Sequence, residues 1–127
     1  MKNKNVRARV AADGTRGFFE RAREHARRLD RGLELAPEVT VSFENPADMM
    51  RVLSSQRIRL LRAARQKPSP VSDLALRLQR DARAVSRDVD LLEHFGLLRT
   101  RYESNPGHGR RRIVEPRAAS YQLVAAI

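Results

Sequence analysis

The sequence predicts an α+β fold that is mainly α. Three observations predict it. Near the middle of the chain, apolar residues recur at helical spacing on both sides of a short polar turn. A loop rich in glycine and proline follows between two strand-like segments, as in a β-hairpin. Towards the N-terminus, two alternating segments flank a long amphipathic stretch, which indicates a strand–helix–strand extension.

The extension begins with residues 5–12, whose alternation of apolar and polar side chains is typical of a half-buried strand, as is that of residues 38–43. Between them, residues 15–34 form an amphipathic helix with Thr15 as its cap. The apolar stripe of this helix comprises Phe18, Ala22, Ala26, Leu29 and Leu33. The opposite face holds Arg21, Glu24, Arg28 and Arg31. The stripe indicates core packing or a dimer interface, and membrane-surface binding is the weaker alternative because the stripe is narrow and rich in alanine.

Two helices precede the central turn. Asn45 suits an N-cap and Pro46 a first helical position, so residues 45–53 form a short helix. Residues 56–66 form the next helix, which ends at Lys67-Pro68. Its buried edge comprises Ile58, Leu61 and Ala64, and its outward side chains are Arg57, Arg62 and Arg65.

The central pair of helices lies within residues 69–98. Ser69 suits the N-cap of the first helix, with Pro70 at its first position, and Asp81 suits the N-cap of the second. Gly96 is placed to stop the second helix. The apolar faces consist of Val71, Leu74, Ala75 and Leu78 in the first helix and Val85, Val89 and Leu92 in the second. The polar face of the second helix holds Arg83, Ser86, Arg87 and Asp90.

The hairpin follows directly. Residues 97–102 read as a strand, residues 103–109 as a turn, and residues 110–114 as the returning strand. Its tip and returning strand carry His108, Arg110, Arg111 and Arg112. Residues 120–127 form a last apolar segment, a strand that needs to be covered.

Composition bounds the function. The 127 residues contain 26 lysines and arginines against 15 aspartates and glutamates, a formal net charge of +11. So basic a chain is attracted to polyanions, and nucleic acid is the commonest; a solvated basic surface and an acidic protein partner are the alternatives. The chain has no cysteine, which excludes disulfides and thiolate metal sites. No apolar run reaches the length of a signal peptide or a membrane span, so we expect a cytoplasmic protein without membrane contact.

The segment SDLALRLQRDARAVSRDVDLLEHFGLL resembles the winged helix-turn-helix domains of prokaryotic transcriptional regulators of the MarR and ArsR kind. The matching positions are Leu74, Ala75, Leu78, Val85, Ser86, Arg87, Val89, Leu92, Gly96 and Leu97. Gln79 departs from the pattern, because a glycine is common there. If the position needs a positive φ, Gln79 is modestly strained; otherwise the turn differs.

The resemblance extends towards the N-terminus. The longer segment from Phe43 to Leu98 is similar to a family of small archaeal and bacterial winged-helix regulators, many of them taken to be antitoxin-like. The additional matching positions are Phe43, Met50, Val52, Leu53, Ser54 and Arg57. The resemblance implies a repressor of its own operon, with a cognate toxin as a further partner. It divides the chain into an extension (1–44), a winged helix-turn-helix domain (45–117) and a C-terminal apolar strand (118–127).

Double-stranded DNA is the partner that these residues predict. Arg83 and Arg87 are candidates for guanine edges or flanking phosphates, and Ser86 for a base or a phosphate. Arg80 is expected to meet a phosphate beside the helix N-terminus. The hairpin arginines Arg110, Arg111 and Arg112 are expected to supply salt-sensitive affinity. The alternative for Arg87 is a surface ion pair with Asp88 or Asp90.

A twofold homodimer is the usual solution for such a domain, held here by the N-terminal strand and helix or by the C-terminal segment. We expect no enzyme and no cofactor, because His25, His94 and His108 are isolated and no metal-ligand spacing or phosphate-binding loop occurs. The alternative function is a protein-interaction module that keeps a winged fold without specific DNA readout.

Overall fold

The computed structural model describes residues 5–33 and 37–125, and these form five helices and six strands. The element order is β1 (Arg7–Ala12), α1 (Gly14–Asp30), β2 (Glu38–Ser42), α2 (Pro46–Val52), α3 (Ser55–Gln66), β3 (Ser69–Pro70), α4 (Val71–Leu78), α5 (Ala82–His94), β4 (Leu98–Ser104), β5 (Arg110–Pro116) and β6 (Ser120–Ala125). The α+β, mainly α class and the strand–helix–strand extension are therefore confirmed.

The chain divides into two compact units. One contains the described residues up to Arg51 together with those from Ala118 onward, and the other contains Val52–Arg117. The first unit has a parallel three-stranded sheet in the order β2-β1-β6. Its middle strand buries Ala8, Val10, Ala11 and Ala12. The C-terminal segment was predicted as an apolar strand in need of cover, and β6 pairs with β1 from Ser120 to Ala125; residues 126–127 lie outside the described residues.

The apolar stripe of helix α1 faces away from the core of its own chain. Gly17 is its buried residue, and Arg21 has a part-buried guanidinium that pairs with Asp13 and donates to Ser42 Oγ at 3.0 Å. Arg21 therefore lies towards β2, whereas Arg28 and Arg31 are exposed, as is the stripe from Phe18 to Leu33. Packing of the stripe into the core of its own chain is a wrong prediction, because a glycine and an ion pair anchor the helix instead.

The ends of α1 also differ from the prediction. The helix begins at Gly14, and Asp13 rather than Thr15 is at the N-cap, without a side-chain cap bond. It ends at Asp30, earlier than predicted, because Gly32 has a φ of +72° and turns the chain. The Leu33 amide then donates to the Arg28 carbonyl at 2.9 Å, the bond that closes a Schellman motif.

The second unit is a winged helix-turn-helix domain. Strands β3, β5 and β4 form an antiparallel sheet in that order, beside α3, α4 and α5. We call the hairpin of β4 and β5 the wing. The largest fully buried side chains of this unit are Leu60, Leu74, Val85, Val89, Leu92, Leu97, Leu98 and Val114. Most of the apolar positions predicted for α4 and α5 are therefore core positions.

Local signals place most helix ends correctly. Asn45 Oδ1 accepts from the Asp48 amide at 2.9 Å, and Asp81 Oδ2 accepts from the Ala84 amide at 3.2 Å, so both predicted caps are confirmed. Ser69 is not a cap: it lies in β3, and its hydroxyl donates to the Lys67 carbonyl and accepts from Arg77. Helix α4 consequently begins at Val71.

The turn between α4 and α5 is the one that a glycine would suit. Gln79 has φ 54° and ψ 47°, the left-handed conformation that side chains with a Cβ disfavour. Its amide and that of Arg80 close the end of α4 by donating to the carbonyls of Leu76 and Ala75. Of the two alternatives, a strained Gln79 or a different turn, the structure shows the first, because the position has a positive φ.

Candidate nucleic-acid interface

The outer face of α5 carries two free arginines. Arg83 and Arg87 lie four residues apart, one helical turn, and both side chains are exposed. Within residues 5–33 and 37–125 neither side chain has a hydrogen-bond or ion-pair partner. Ser86 lies between them and is half-buried. Two guanidinium groups, each with five donors, are therefore available to a ligand on this face.

The alternative interpretation of Arg87, an ion pair with a neighbouring aspartate, is wrong. Asp88 pairs with Arg57 and Arg80, and Asp90 pairs with Arg112. Both aspartates are thus already neutralised by arginines from elsewhere in the domain. The carboxylates beside Arg87 do not hold its side chain down.

Asp88 joins three elements of the domain. It is a buried residue, and its Oδ1 accepts from Arg57 Nε on α3 at 3.0 Å. Its Oδ2 accepts from Arg80 Nη2, in the turn before α5, at 2.8 Å. Arg57 also donates to the Val52 carbonyl at 3.2 Å. Charge-assisted bonds of this kind are short and directional, so they fix the orientation of α5 relative to α3 and the turn.

Arg80 consequently differs from its predicted role. Its side chain is only 17% exposed and its guanidinium is directed to Asp88, whereas we expected it to meet a phosphate. Arg57 was predicted to point outward from α3, and it too turns inward to Asp88. The physical reason is the same for both: a buried carboxylate needs positive partners, and these two arginines supply them.

A second cluster ties the wing to α5. Arg112 on β5 donates to Glu93 at 3.1 Å and pairs with Asp90 at 2.7 Å. Glu93 also accepts from the amide and the hydroxyl of Thr100 on β4, at 2.9 and 2.8 Å. Arg112 was predicted as a free phosphate ligand, but its side chain is 17% exposed and bridges two elements of the protein.

The remaining wing arginines lie at the surface. Arg110 stacks its guanidinium over the Tyr102 ring, 4.9 Å from the ring centroid, and both residues are exposed. Arg111 pairs with Glu103 across the hairpin, with Nη2 and Oε1 at 2.6 Å. His108 is exposed in the loop between the strands. Among the described residues, Arg110 therefore has no carboxylate partner, Arg111 is exposed but paired with Glu103, and Arg112 is engaged by two carboxylates of α5.

One face of the wing is a ladder of alternating charges. Arg101 lies between Glu115 and Glu103, and Arg99 pairs with Glu115 at 3.2 Å. Hydrogen bonding to Arg101 is the main cause that lowers the pKa of both Glu115 and Glu103 below the ordinary value of 4.5. The same two carboxylates raise the pKa of Arg101. The ladder keeps the carboxylates charged, and it partly neutralises this face of the wing.

The sequence analysis did not identify the two carboxylates that each bind two other elements, Asp88 and Glu93, or the stacking of Arg110 on Tyr102. The one available signal was Arg57, which belongs to the matching positions of the resemblance but was given no role. Charged residues on a helix surface look alike in a sequence, whether they face solvent or another arginine. Asp88 binds two arginines whereas Asp81 only caps α5, and this difference follows from how α3 and the turn pack against α5.

The described residues contain no group of three or more histidine, cysteine, aspartate and glutamate side chains placed to hold a metal ion. None of the helices within residues 5–33 and 37–125 combines the length and the hydropathy that a bilayer crossing requires.

The fold and this surface define a winged helix-turn-helix protein with two exposed arginines on α5, the second helix of the helix-turn-helix. The particular family follows from comparison with known proteins. The family model HVO_A0114 matches residues 52–115, half of the chain, and the chain belongs to that family. No curated protein matches the chain.

Two similar solved structures have low sequence identity. One is described as a possible transcriptional regulator from Methanosarcina mazei Go1, with 16% identity, a TM-score of 0.48, and coverage of 54% of this chain and 61% of that one. The other is a homodimeric winged helix-turn-helix DNA-binding domain from Mycobacterium bovis, described as a possible ArsR-family regulator. It has 19% identity and a TM-score of 0.46, over 57% of this chain and 63% of that one. The chain thus spans about three fifths of each structure's length.

Proposed function

We propose that this protein is a sequence-specific regulator of transcription that binds double-stranded DNA as a homodimer and represses its own operon. In this proposal α5 enters the major groove, where Arg83 and Arg87 contact guanine edges or the adjacent phosphates, and Ser86 contacts the backbone. Arg110 and Arg111 contact phosphates along the wing. Arg80 and Arg112 hold α5 and the wing in place and do not contact DNA.

One observation carries the proposal. Arg83 and Arg87 are exposed and have no partner in the part of the chain that the structure describes, and the opposite face of their helix is core. The charged side chains around them, Asp88 and Asp90, are paired with other arginines. A helix that is fixed behind and offers unpaired guanidinium groups in front has the geometry of a DNA-reading element.

Binding to the chain's own upstream DNA tests the proposal. We expect Arg83→Ala with Arg87→Ala to remove the preference for that DNA over a scrambled duplex, because each bidentate arginine supplies about 1–3 kcal/mol of discrimination. Arg111→Ala should weaken binding to both duplexes alike. It should also make the slope of log K against log salt concentration less steep by about 0.9, the value for one phosphate contact. Gel shifts across a salt series measure both effects.

The matched control removes the same charge elsewhere. Arg28 and Arg31 are exposed in the last turn of α1 and just after it, so Arg28→Ala with Arg31→Ala lowers the net charge equally. This control should keep the preference. Full operator preference in the Arg83, Arg87 double variant would contradict the proposed reading face. No preference in the unsubstituted chain would favour the alternative, an interaction module without specific DNA readout.

The cognate toxin implied by the sequence resemblance is a separate hypothesis. Its test is copurification of the neighbouring gene product when both genes are expressed together. Loss of the partner leaves the DNA-binding proposal unchanged, since Arg83 and Arg87 lie on α5 and require no second protein to be exposed.

A further inference from the structure

The apolar stripe of α1 is exposed along its whole length. Phe18, Phe19, Leu29 and Leu33 are 54%, 53%, 61% and 46% exposed, respectively. Ala22 and Ala26, between them, are exposed as well. Contiguous apolar surface of this kind marks an interaction site in a folded chain, whereas scattered exposed leucines do not.

The spacing of the stripe is that of a helix–helix seam. Phe19, Ala22, Ala26 and Leu29 step by three, four and three residues, which is the alternation of a and d positions in a coiled coil. A membrane-surface helix needs a wide apolar face, whereas this seam is one side chain wide at its two alanines. The pattern therefore favours a second helix as the occupant.

The two ends of the seam are complementary in shape. A cavity of 340 Å³ opens at the N-terminal end, beside Thr15, Phe18, Phe19 and Phe43. The C-terminal end carries two exposed leucines, Leu29 in the last turn of α1 and Leu33 just after the helix. The cavity at one end of the seam and the exposed leucines at the other are separated by the small side chains of Ala22 and Ala26.

We propose that this face binds the same face of a second copy of the chain, with the two α1 helices antiparallel. In the symmetric register, Ala22 of one copy lies across from Ala26 of the other, and Phe19 lies across from Leu29. The leucines of each copy then reach the cavity of the other, and the alanines let the helices approach closely.

The charges beside the seam agree with an antiparallel pair. Arg16, Arg23 and Asp30 recur at intervals of seven residues and therefore share one flank. In an antiparallel pair the equivalent flanks meet, so Arg16 of one copy, which pairs with Glu20 of its own chain, comes near Asp30 of the other at both ends, and the two Arg23 side chains meet at the centre. The two attractive contacts outnumber the one repulsive contact. In a parallel pair this flank faces the other flank of the partner, which carries Phe18, His25 and Gly32 and offers no acidic residue.

The seam is short, so the dimer is weak. A stable interface buries about 800 Å² per partner, and one pair of helices of this length buries less. We expect dissociation at micromolar concentrations. This inference names the contact surface of the dimer in the proposed function. Its test uses no DNA, so its failure and that of the DNA contacts are distinguishable.

Sedimentation of the full chain at increasing concentration tests the dimer. The 14.5 kDa chain should approach twice its mass, and Ala26→Glu should weaken the association at least tenfold. Ala47→Glu is the matched control, because Ala47 is also exposed but lies on α2. It should associate as the unsubstituted chain does. Circular dichroism should be the same for all three, since both alanines are exposed.

Cross-linking tests the orientation. The chain has no cysteine, so Ala22→Cys and Ala26→Cys chains can be mixed and oxidised. The antiparallel register predicts that disulfides form chiefly between the two different variants. Each variant cross-linking mainly to itself would overturn the register.

A chain that stays monomeric at about 100 µM would overturn the proposal, and so would normal association of the Ala26→Glu chain. Monomers that sediment with anionic vesicles would assign the stripe to a membrane surface instead.

Discussion

At the scale of the residue, Asp88 decides how α5 is held. Its two oxygens accept from arginines of α3 and of the preceding turn, at 3.0 and 2.8 Å. A carboxylate in this position would be costly without those partners, and removing it takes from both arginines the acceptor that they share. The same bridge explains why Arg57 and Arg80 are unavailable to a phosphate.

We therefore predict that Asp88→Ala lowers the free energy of unfolding by on the order of 3 kcal/mol, the cost of breaking a largely buried charge cluster. Urea denaturation followed by circular dichroism measures it. Asp81→Ala removes a carboxylate from the same helix but only a cap, at about 1 kcal/mol. Equal effects of the two substitutions would contradict the bridging role of Asp88.

Gln79 is a second residue whose conformation has a measurable cost. Its φ of 54° is left-handed, and replacement by glycine removes the Cβ clash while adding freedom to the unfolded chain. We predict that Gln79→Gly stabilises the fold by about 0.5–1 kcal/mol. Gly96→Ala, at a φ of +79°, should destabilise it by more than about 1 kcal/mol. Thermal denaturation of both variants checks the pair, and a destabilised Gln79→Gly chain would refute the strain.

At the scale of the element, the wing is a hairpin fastened from both faces. On one face Glu93 and Asp90 of α5 bind Arg112 and Thr100. On the other, the charge ladder joins β4 to β5 through Arg101. The wing is therefore positioned by salt bridges as well as by strand pairing, which makes its stability dependent on pH.

The direction of that dependence follows from the lowered pKa values of Glu103 and Glu115. A carboxylate whose folded pKa is depressed stabilises the fold above its unfolded pKa, near 4.5, and this contribution is lost as the pH falls through the folded value. We predict that the urea midpoint falls between pH 5 and pH 3 by less in Glu115→Gln than in the unsubstituted chain. An identical fall in both would contradict a role of the ladder in acid sensitivity.

At the scale of the whole molecule, the two units carry two different surfaces. The winged unit presents a basic face on α5 and the wing, and the unit of β1, α1, β2 and β6 presents an apolar seam. A single winged domain makes few base contacts, and pairing two of them on a palindromic site is the usual way to gain specificity. The two proposals thus assign DNA contact to one unit and self-association to the other.

The sequence alone determined the elements and most of their ends. The signals that determined them are local, because helices and turns are decided within a few residues. They are the apolar periodicity, the caps at Asn45 and Asp81, and the glycine- and proline-rich turn between the strands of the wing. It also determined that the position of Gln79 is the unusual point of the turn.

Only the tertiary structure decided which charged side chains are free. Arg80, Arg83, Arg87 and Arg112 look alike in the sequence, yet the first and last are bound to carboxylates distant in the chain. The same holds for α1, whose apolar stripe faces outward because Gly17 and Arg21 occupy the side towards the sheet. The partners in these contacts are brought together by packing between elements, and a local pattern carries no record of them.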